Sequence, residues 1–222
     1  MAARHLTFAV GDVHGCLDQL RALLDEIEAY ASSGRVIFLG DLIDRGPDSR
    51  GVVELIMAGP TRAGWTWLTL KGNHEVMLWG ASSGDSDVDW WLMNGGQETL
   101  VSYNGTVPGR HLKWMRDLPS ILVEQYRIFV HAGVDETLPL EWQGDETFLW
   151  IRRPDDYSGE YWGRHVCHGH TPGAENPRTI GNRTNVDSGA VFGGVLSCAV
   201  FDDDEPGGPI DFLTAAVRLA AT

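Results

Sequence analysis

The sequence predicts an α/β domain whose crossovers lie on a mainly parallel sheet. Three observations carry this. Short β-rich apolar runs end repeatedly at glycine, histidine, aspartate or asparagine, as buried strands running into tight turns do. Helical patterns separate the early runs, and strand, loop and helix recur three times in succession. In such sheets functional residues collect beyond the carboxyl ends of the strands, so the polar turns are predicted to be neighbours in space.

The elements follow in order. "LTFAV" runs into "GDVHG" as a first strand. "CLDQLRALLDEIEAY" places Leu17, Leu20, Leu24 and Ile27 at helical spacing. "VIFLGDLIDRG", residues 36–46, is a second strand whose turn crowds two aspartates and an arginine together, and "DSRGVVELIMA" is a helix with Asp48 as its cap. "WTWLTLK" leads into "GNHE". From about 76 to 117 the pattern becomes helical, with "DVDWWLMNGGQETLVSY" and "GRHLKWMRDL", and reads as an insertion packed beside the sheet. "RIFVHAG" and "RHVCHGHT" repeat the strand-and-turn plan. "NVD", "VLSCAVF" and "IDFLTAAVRL" read as a second run of strands, and "DDDEPGGP" between the last two as a solvated hairpin turn. The whole chain, 1–222, reads as one domain.

Composition narrows the function classes. A net charge of −14 argues against nucleic-acid binding through a broad basic surface. It leaves room for a phosphorylated substrate, because bound metal ions reverse a local field. Three cysteines, Cys16, Cys167 and Cys198, form no paired framework and read as reduced thiols of a cytoplasmic protein. No apolar run is long enough to span a membrane. Oligomeric state is not readable.

Four of the eight histidines, His14, His74, His131 and His170, fall in strand-end turns beside Asp12, Asp41, Asp44 and Asn73. Converging carboxylates and imidazoles suffer desolvation and repulsion unless a cation joins them. Nitrogen and oxygen ligands without cysteine suit a catalytic pair of divalent transition ions, among which Mn²⁺, Fe and Zn²⁺ all tolerate this set. Two such ions about 3.5–4 Å apart hold a bridging hydroxide and stabilise both oxygens of an in-line displacement. Arginine grips a phosphate dianion with its planar fork, and a serine alkoxide needs a general acid to leave.

The motifs "GDVHG", "GDLIDRG", "GNHE", "HAG" and "GHT", in this order, resemble the signature set of the phosphoprotein phosphatase family of metallophosphoesterases. "WLMNGGQETLVSY", "LPLEWQ…FLWIRR" and "NVDSGAVFGG" are similar to its bacterial and phage members. The resemblance implies a four-layer α/β sandwich, two central mixed β-sheets flanked by helices, with two metals at the strand ends. It implies that Asp12 and His14 bind the first metal, that Asp41 bridges both, and that Asn73, His131 and His170 complete the second. By the same resemblance Asp44 orients the catalytic acid His74, and Arg45 and Arg152 bind the substrate phosphate together with Asn73. Arg153 is the alternative to Arg152, since spacing does not separate adjacent arginines. His170 is followed by Thr171 rather than by the "GHxH" histidine of wider metallophosphoesterases, and His168 reads as structural. Asp187 either steadies the site or caps a turn, Cys16 reads as packing, and Trp90, Trp91 and Trp162 read as core residues or as the lining of a groove.

Three functions compete at this point. The first is a Mn²⁺-type phosphatase acting on phosphoserine or phosphothreonine in proteins. The second is a hydrolase of small phosphoesters such as symmetrical dinucleoside tetraphosphates, a group that shares "GDVHGC" but departs from "DRG" and "GNHE". The third, a non-catalytic binding module, requires a missing ligand or acid, and none is missing.

Overall fold

The computed structural model describes residues 4–154 and 156–216. Strand and helix alternate first: β1 (Leu6–Val10), α1 (Leu17–Tyr30), β2 (Gly34–Phe38), α2 (Ser49–Ala58), β3 (Trp65–Thr69) and α3 (Asn73–Ser83). Helices α4 (Val88–Trp91), α5 (Gln97–Ser102) and α6 (Gly109–Arg116) follow, with a widened, kinked turn at Leu92–Gly96 between α4 and α5. The second half holds β4 (Ile121–Val123), β5 (Arg127–Val130), α7 (Asp145–Trp150), β6 (His165–His168), β7 (Arg178–Ile180), β8 (Arg183–Asn185), β9 (Leu196–Asp202) and β10 (Asp211–Ala215).

These strands form two five-stranded mixed sheets, ordered β10-β9-β1-β2-β3 and β4-β5-β6-β8-β7. Two mixed sheets are what the motif resemblance implies, and the mainly parallel character read from the early repeats holds for the central strands of each. Parallel pairing holds for β1-β2-β3 and for β5-β6-β8, and β9, β10, β4 and β7 pair antiparallel.

The strands read as continuous apolar runs because both faces are covered. On β1 and β2, Phe8, Val10, Val36 and Phe38 pack with Leu20, Leu23, Ile27, Val52 and Val53 of the helices. The alternate residues Ala9 and Ile37 face the other way, into a core shared with Phe129 and Cys167 of the second sheet. Phe129 and Phe201 meet edge to face there, 5.5 Å between centroids. Beyond the second sheet, Ile128, Val130 and Val166 pack under Phe148, Leu149 and Tyr161. Helix, sheet, sheet and covering segment make four layers, and the period-2 alternation of each central strand divides its side chains between them.

Local signals explain the boundaries. The Asp48 carboxylate accepts from the Gly51 amide at 2.8 Å and caps α2. The acidic tract before β10 is a hairpin turn, with Val200 opposite Asp211. "NVD" supplies only Asn185 to a strand, and residues 217–219 of the last predicted run lie outside the described residues. Among the described residues, no helix is long and apolar enough to cross a membrane.

Candidate metal centre

The carboxyl ends of β1, β2, β3, β5 and β6 bring the polar turns to one place. Asp12 and His14 follow β1, Asp41 to Arg45 follow β2, Asn73 to Glu75 open α3, His131 follows β5 and His170 follows β6. All of these except Arg45 are buried. The Asp41 carboxylate joins two groups of donor atoms that each fall within 4.8 Å, one with His14 and His74 and one with His131 and His170.

Hydrogen bonds decide which atoms these side chains offer. His131 Nδ1 lies 3.0 Å from the Leu39 carbonyl oxygen, so that nitrogen carries the proton and Nε2 presents a lone pair. Nε2 in turn stands 2.9 Å from Asn73 Oδ1, 3.1 Å from His170 Nδ1 and 3.4 Å from Asp41 Oδ1. Asn73 Oδ1 brings no proton of its own, so acceptor atoms crowd together here. His14 repeats the arrangement: Nδ1 donates to the Ile43 carbonyl at 2.7 Å, leaving Nε2 facing Asp41 Oδ2 at 3.5 Å. Such a set of buried lone pairs and carboxylates fits cations.

Electrostatics agree. Asp12 and Asp41 lie well above the usual carboxylate range, chiefly through burial, with repulsion from Asp187 and Asp41 added at Asp12 and from Glu75 at Asp41. Burial likewise drives His14, His74 and His131 well below the ordinary imidazole value and His170 down to about 3, where Arg152 adds to the effect. Neutral imidazoles are the form that ligates metal. Asp12 belongs to neither group; its oxygens accept from the His170 amide at 3.0 and 3.1 Å, which ties the two sheets together at the site.

Beside this cluster, His74 Nδ1 and Asp44 Oδ2 are 2.7 Å apart, both fully enclosed. Burial raises the Asp44 carboxyl to about 7, against the hydrogen bonds of Thr99 and Trp91 that stabilise its charge. Arg45 Nη1 donates to His14 Nε2, and its guanidinium lies 5.6 Å from the centre of the exposed Phe192 ring. Arg152 Nη1 donates to Thr171 Oγ1 at 3.2 Å, next to His170, whereas Arg153 pairs with Asp135 at 3.0 Å and stacks over Tyr157. Of the two readings of Asp187, the turn-capping one has a contact behind it: its carboxylate accepts from the Gly189 amide at 3.0 Å, while its charge adds to the raising of Asp12.

Sequence reasoning missed the part played by Glu75. Its carboxylate accepts from the Asp41 amide at 3.0 Å, Leu42 at 2.8 Å and Gly72 at 2.7 Å, fixing the β2 turn against α3. The signal was present as the last letter of "GNHE". Trp91 is buried, while Trp90 and Trp162 are exposed. The Cys16 thiol is buried and pushed up to about 11, as a packing residue would be. His168 is enclosed and bonds the Gly169 carbonyl, outside both donor groups.

Comparison with known proteins gives this geometry a family. The calcineurin-like phosphoesterase profile matches residues 6–194. The chain is 32% identical over 207 residues to serine/threonine-protein phosphatase 1 of Salmonella typhimurium, covering 88% of this chain and 91% of that one. It is 27% identical to the asymmetrical bis(5'-nucleosyl)-tetraphosphatase PrpE of Oceanobacillus iheyensis, covering 88% of each. The fold superposes with a TM-score of 0.66 on a cold-active protein-tyrosine phosphatase of Shewanella sp., at 18% identity, over 90% of this chain and 76% of the other. With five motif turns gathered at the ends of two mixed sheets and a profile match over most of its length, the chain belongs to the calcineurin-like phosphoesterase family.

Proposed function

We propose that this phosphoesterase removes phosphate from phosphoserine and phosphothreonine in proteins. The 2.7 Å contact between His74 and Asp44 carries the reading. A serine or threonine alkoxide must be protonated as it departs, whereas the phosphate leaving group of a polyphosphate departs without help. A fully enclosed imidazole–carboxylate pair beside a donor cluster is therefore worth most on an alkyl monoester. The raised Asp44 carboxyl and His74 Nδ1 share one proton across their 2.7 Å contact. Nε2 therefore keeps a second proton for the leaving oxygen, and the shared proton stays on Nδ1 once that one has gone. Arg45, which contacts His14, and Arg152, which contacts Thr171 beside His170, grip the phosphate together with Asn73.

Asp12, His14, Asp41, Asn73, His131 and His170 are the residues proposed to hold two divalent ions, with Mn²⁺ first and Fe or Zn²⁺ next. Such ions supply a hydroxide nucleophile at neutral pH and charge stabilisation at the phosphoryl oxygens. The helices at about 76–117 are taken as an insertion into one domain spanning 1–222. The three free cysteines support a reducing, cytoplasmic setting. The tetraphosphatase relative supports a second reading, hydrolysis of dinucleoside tetraphosphates.

A substrate panel on metal-reconstituted protein tests the two. The expected result is a higher kcat/KM on phosphoserine or phosphothreonine peptide than on dinucleoside tetraphosphate. The reverse order would replace the first reading by the second.

A further inference from the structure

The stretch "WLMNGGQET", residues 91–99, contributes nothing to the roles assigned above, yet it touches both the Asp44–His74 pair and Arg45. We infer that Trp91, Gly95 and Thr99 are positioning residues: Trp91 and Thr99 hold Asp44, and through it His74, while Gly95 holds Arg45. The inference rests on the reading of His74 as the proton donor.

Asp44 has no solvent to orient it, being fully buried. Its carboxylate takes donors on both oxygens besides the imidazole. Trp91 Nε1 lies 2.9 Å from Oδ2 and 3.1 Å from Oδ1, and Thr99 Oγ1 donates to Oδ1 at 2.7 Å. The Thr99 hydroxyl also accepts from the Asp44 amide at 2.9 Å and meets Ser49 Oγ at 2.9 Å. With both oxygens tied, the carboxylate cannot rotate away from His74 Nδ1, and its charge is stabilised where burial opposes it.

The next residue is held by the same segment. Asp44 and Arg45 are consecutive non-glycine residues in the left-handed region, at φ 72° and 67°. Such a turn persists only where its surroundings over-determine it. Arg45 donates its amide to the Gly95 carbonyl oxygen at 2.9 Å. The backbones are so close that a Cβ on Gly95 would fall 2.5 Å from Arg45 Cγ and 2.7 Å from its amide nitrogen. Gly95 itself sits at φ 102°, open to glycine and strained for other residues.

The break in the helix is what lets one segment reach all three groups. In an unbroken helix, positions 91 and 99 would stand about 12 Å apart along the axis, too far to share one carboxylate. The kink at Leu92–Gly96 brings them together, and Gly96 lets the Trp91 indole lie flat on the backbone, where a Cβ would fall 2.4 Å from the ring.

The test compares Thr99→Val, Thr99→Ser, Trp91→Phe and Gly95→Ala with wild type and His74→Asn, all metal-loaded and checked for metal content and circular dichroism. Single-turnover rates are measured on phosphoserine peptide and nitrophenyl phosphate, and inhibition by inorganic phosphate is titrated. Thr99→Val and Trp91→Phe are expected to lose at least tenfold more rate on phosphoserine peptide than on nitrophenyl phosphate, with phosphate inhibition unchanged. Thr99→Ser, which keeps the hydroxyl, should recover most of that loss. Gly95→Ala should weaken phosphate inhibition severalfold and slow both substrates equally. If Thr99→Val does not fold, Trp91→Phe and Gly95→Ala decide. Equal losses on both substrates in Thr99→Val and Trp91→Phe, while His74→Asn shows the leaving-group bias, would overturn this inference alone. Absence of that bias in His74→Asn would remove the proton-donor reading and this inference with it.

Discussion

The two sheets meet at the site on unequal terms. At the end of the first sheet, four non-glycine residues lie in the left-handed region: His14, Asp41, Asp44 and Arg45. At the end of the second sheet, only His170 among the site residues does so. The support differs in the same way. The β2 turn is gripped by Glu75 from α3 and by Thr99 and Gly95 from the helices beyond it. His131 follows an ordinary strand end and His170 occupies one left-handed position past β6, with the Leu39 carbonyl and the Asp12 carboxylate as their ties to the first sheet. A lone pair can be aimed at a cation by a single hydrogen bond behind the ring. On the function proposed above, His74 as proton donor and Arg45 as phosphate clamp must be held in both place and direction, and their turn is the strained and braced one.

The largest expected effect falls on the residue the two halves share. Asp41→Asn should reduce binding of both metals and lower kcat by about a thousandfold or more, because the neutral amide removes the charge that faces His14, His74 and His131. Elemental analysis checks it. Two ions retained at wild-type affinity would take Asp41 out of the bridging role.

Next come the arginines, which put the asymmetry itself to the test. Removing either to alanine should cost about 2–4 kcal/mol of transition-state stabilisation. Arg45→Ala should stand at the upper end, since its backbone is locked, and Arg152→Ala at the lower, since Arg152 is more exposed and shows one contact, to Thr171. A larger kcat/KM loss for Arg152→Ala would reverse the ranking of the two halves.

Bracing predicts a smaller, structural effect. Glu75→Gln keeps the shape but weakens three amide contacts, so unfolding free energy should fall by about 1–3 kcal/mol in urea titration. An unchanged midpoint would mean that the β2 turn holds itself.

The smallest effect at neutral pH lies at the other end of the second sheet. His165 is buried at the start of β6, bonds Thr184 Oγ1 at 2.8 Å, and is lowered to about 4 by burial and by Arg127. The unfolded chain therefore binds more protons than the folded one between pH about 6.5 and 4, and stability falls as pH falls through that window. His165→Gln should flatten this part of the stability profile, an effect of about 1–2 kcal/mol at pH 5 and close to nothing at pH 7.5. Identical acid limbs for variant and wild type would assign the loss to other groups.

How much of this was legible depended on whether the signal was local. Strands such as β1, β2 and β5 announce themselves because apolar run and polar turn are adjacent in sequence. The three-residue edge strands β4 and β7 do not, since three residues are too few to show a period and their pairing partner decides them. Periodicity alone also hid the second sheet's separateness, because parallel and antiparallel neighbours look alike from one strand; the motif set supplied it. Arg152 and Arg153 were inseparable by spacing and diverge only because Asp135 and Tyr157 draw one of them away. Thr99 reaches Asp44 across 55 positions of chain, a contact no periodicity can foretell.

The hairpin between β9 and β10 has a practical consequence. Its turn lies at the amino end of β1, where Leu6 pairs with Asp202, and so points away from the turns that follow the other ends of the strands. Arg127 pins it from below, donating to the carbonyls of Asp202, Glu205 and Gly207. A rigid, exposed loop facing away from the chemistry is a natural point of attachment. A dye, a surface linkage or a fused peptide placed at Glu205–Pro206 would leave the mouth of the site turned outward, giving an oriented layer of protein rather than a random one.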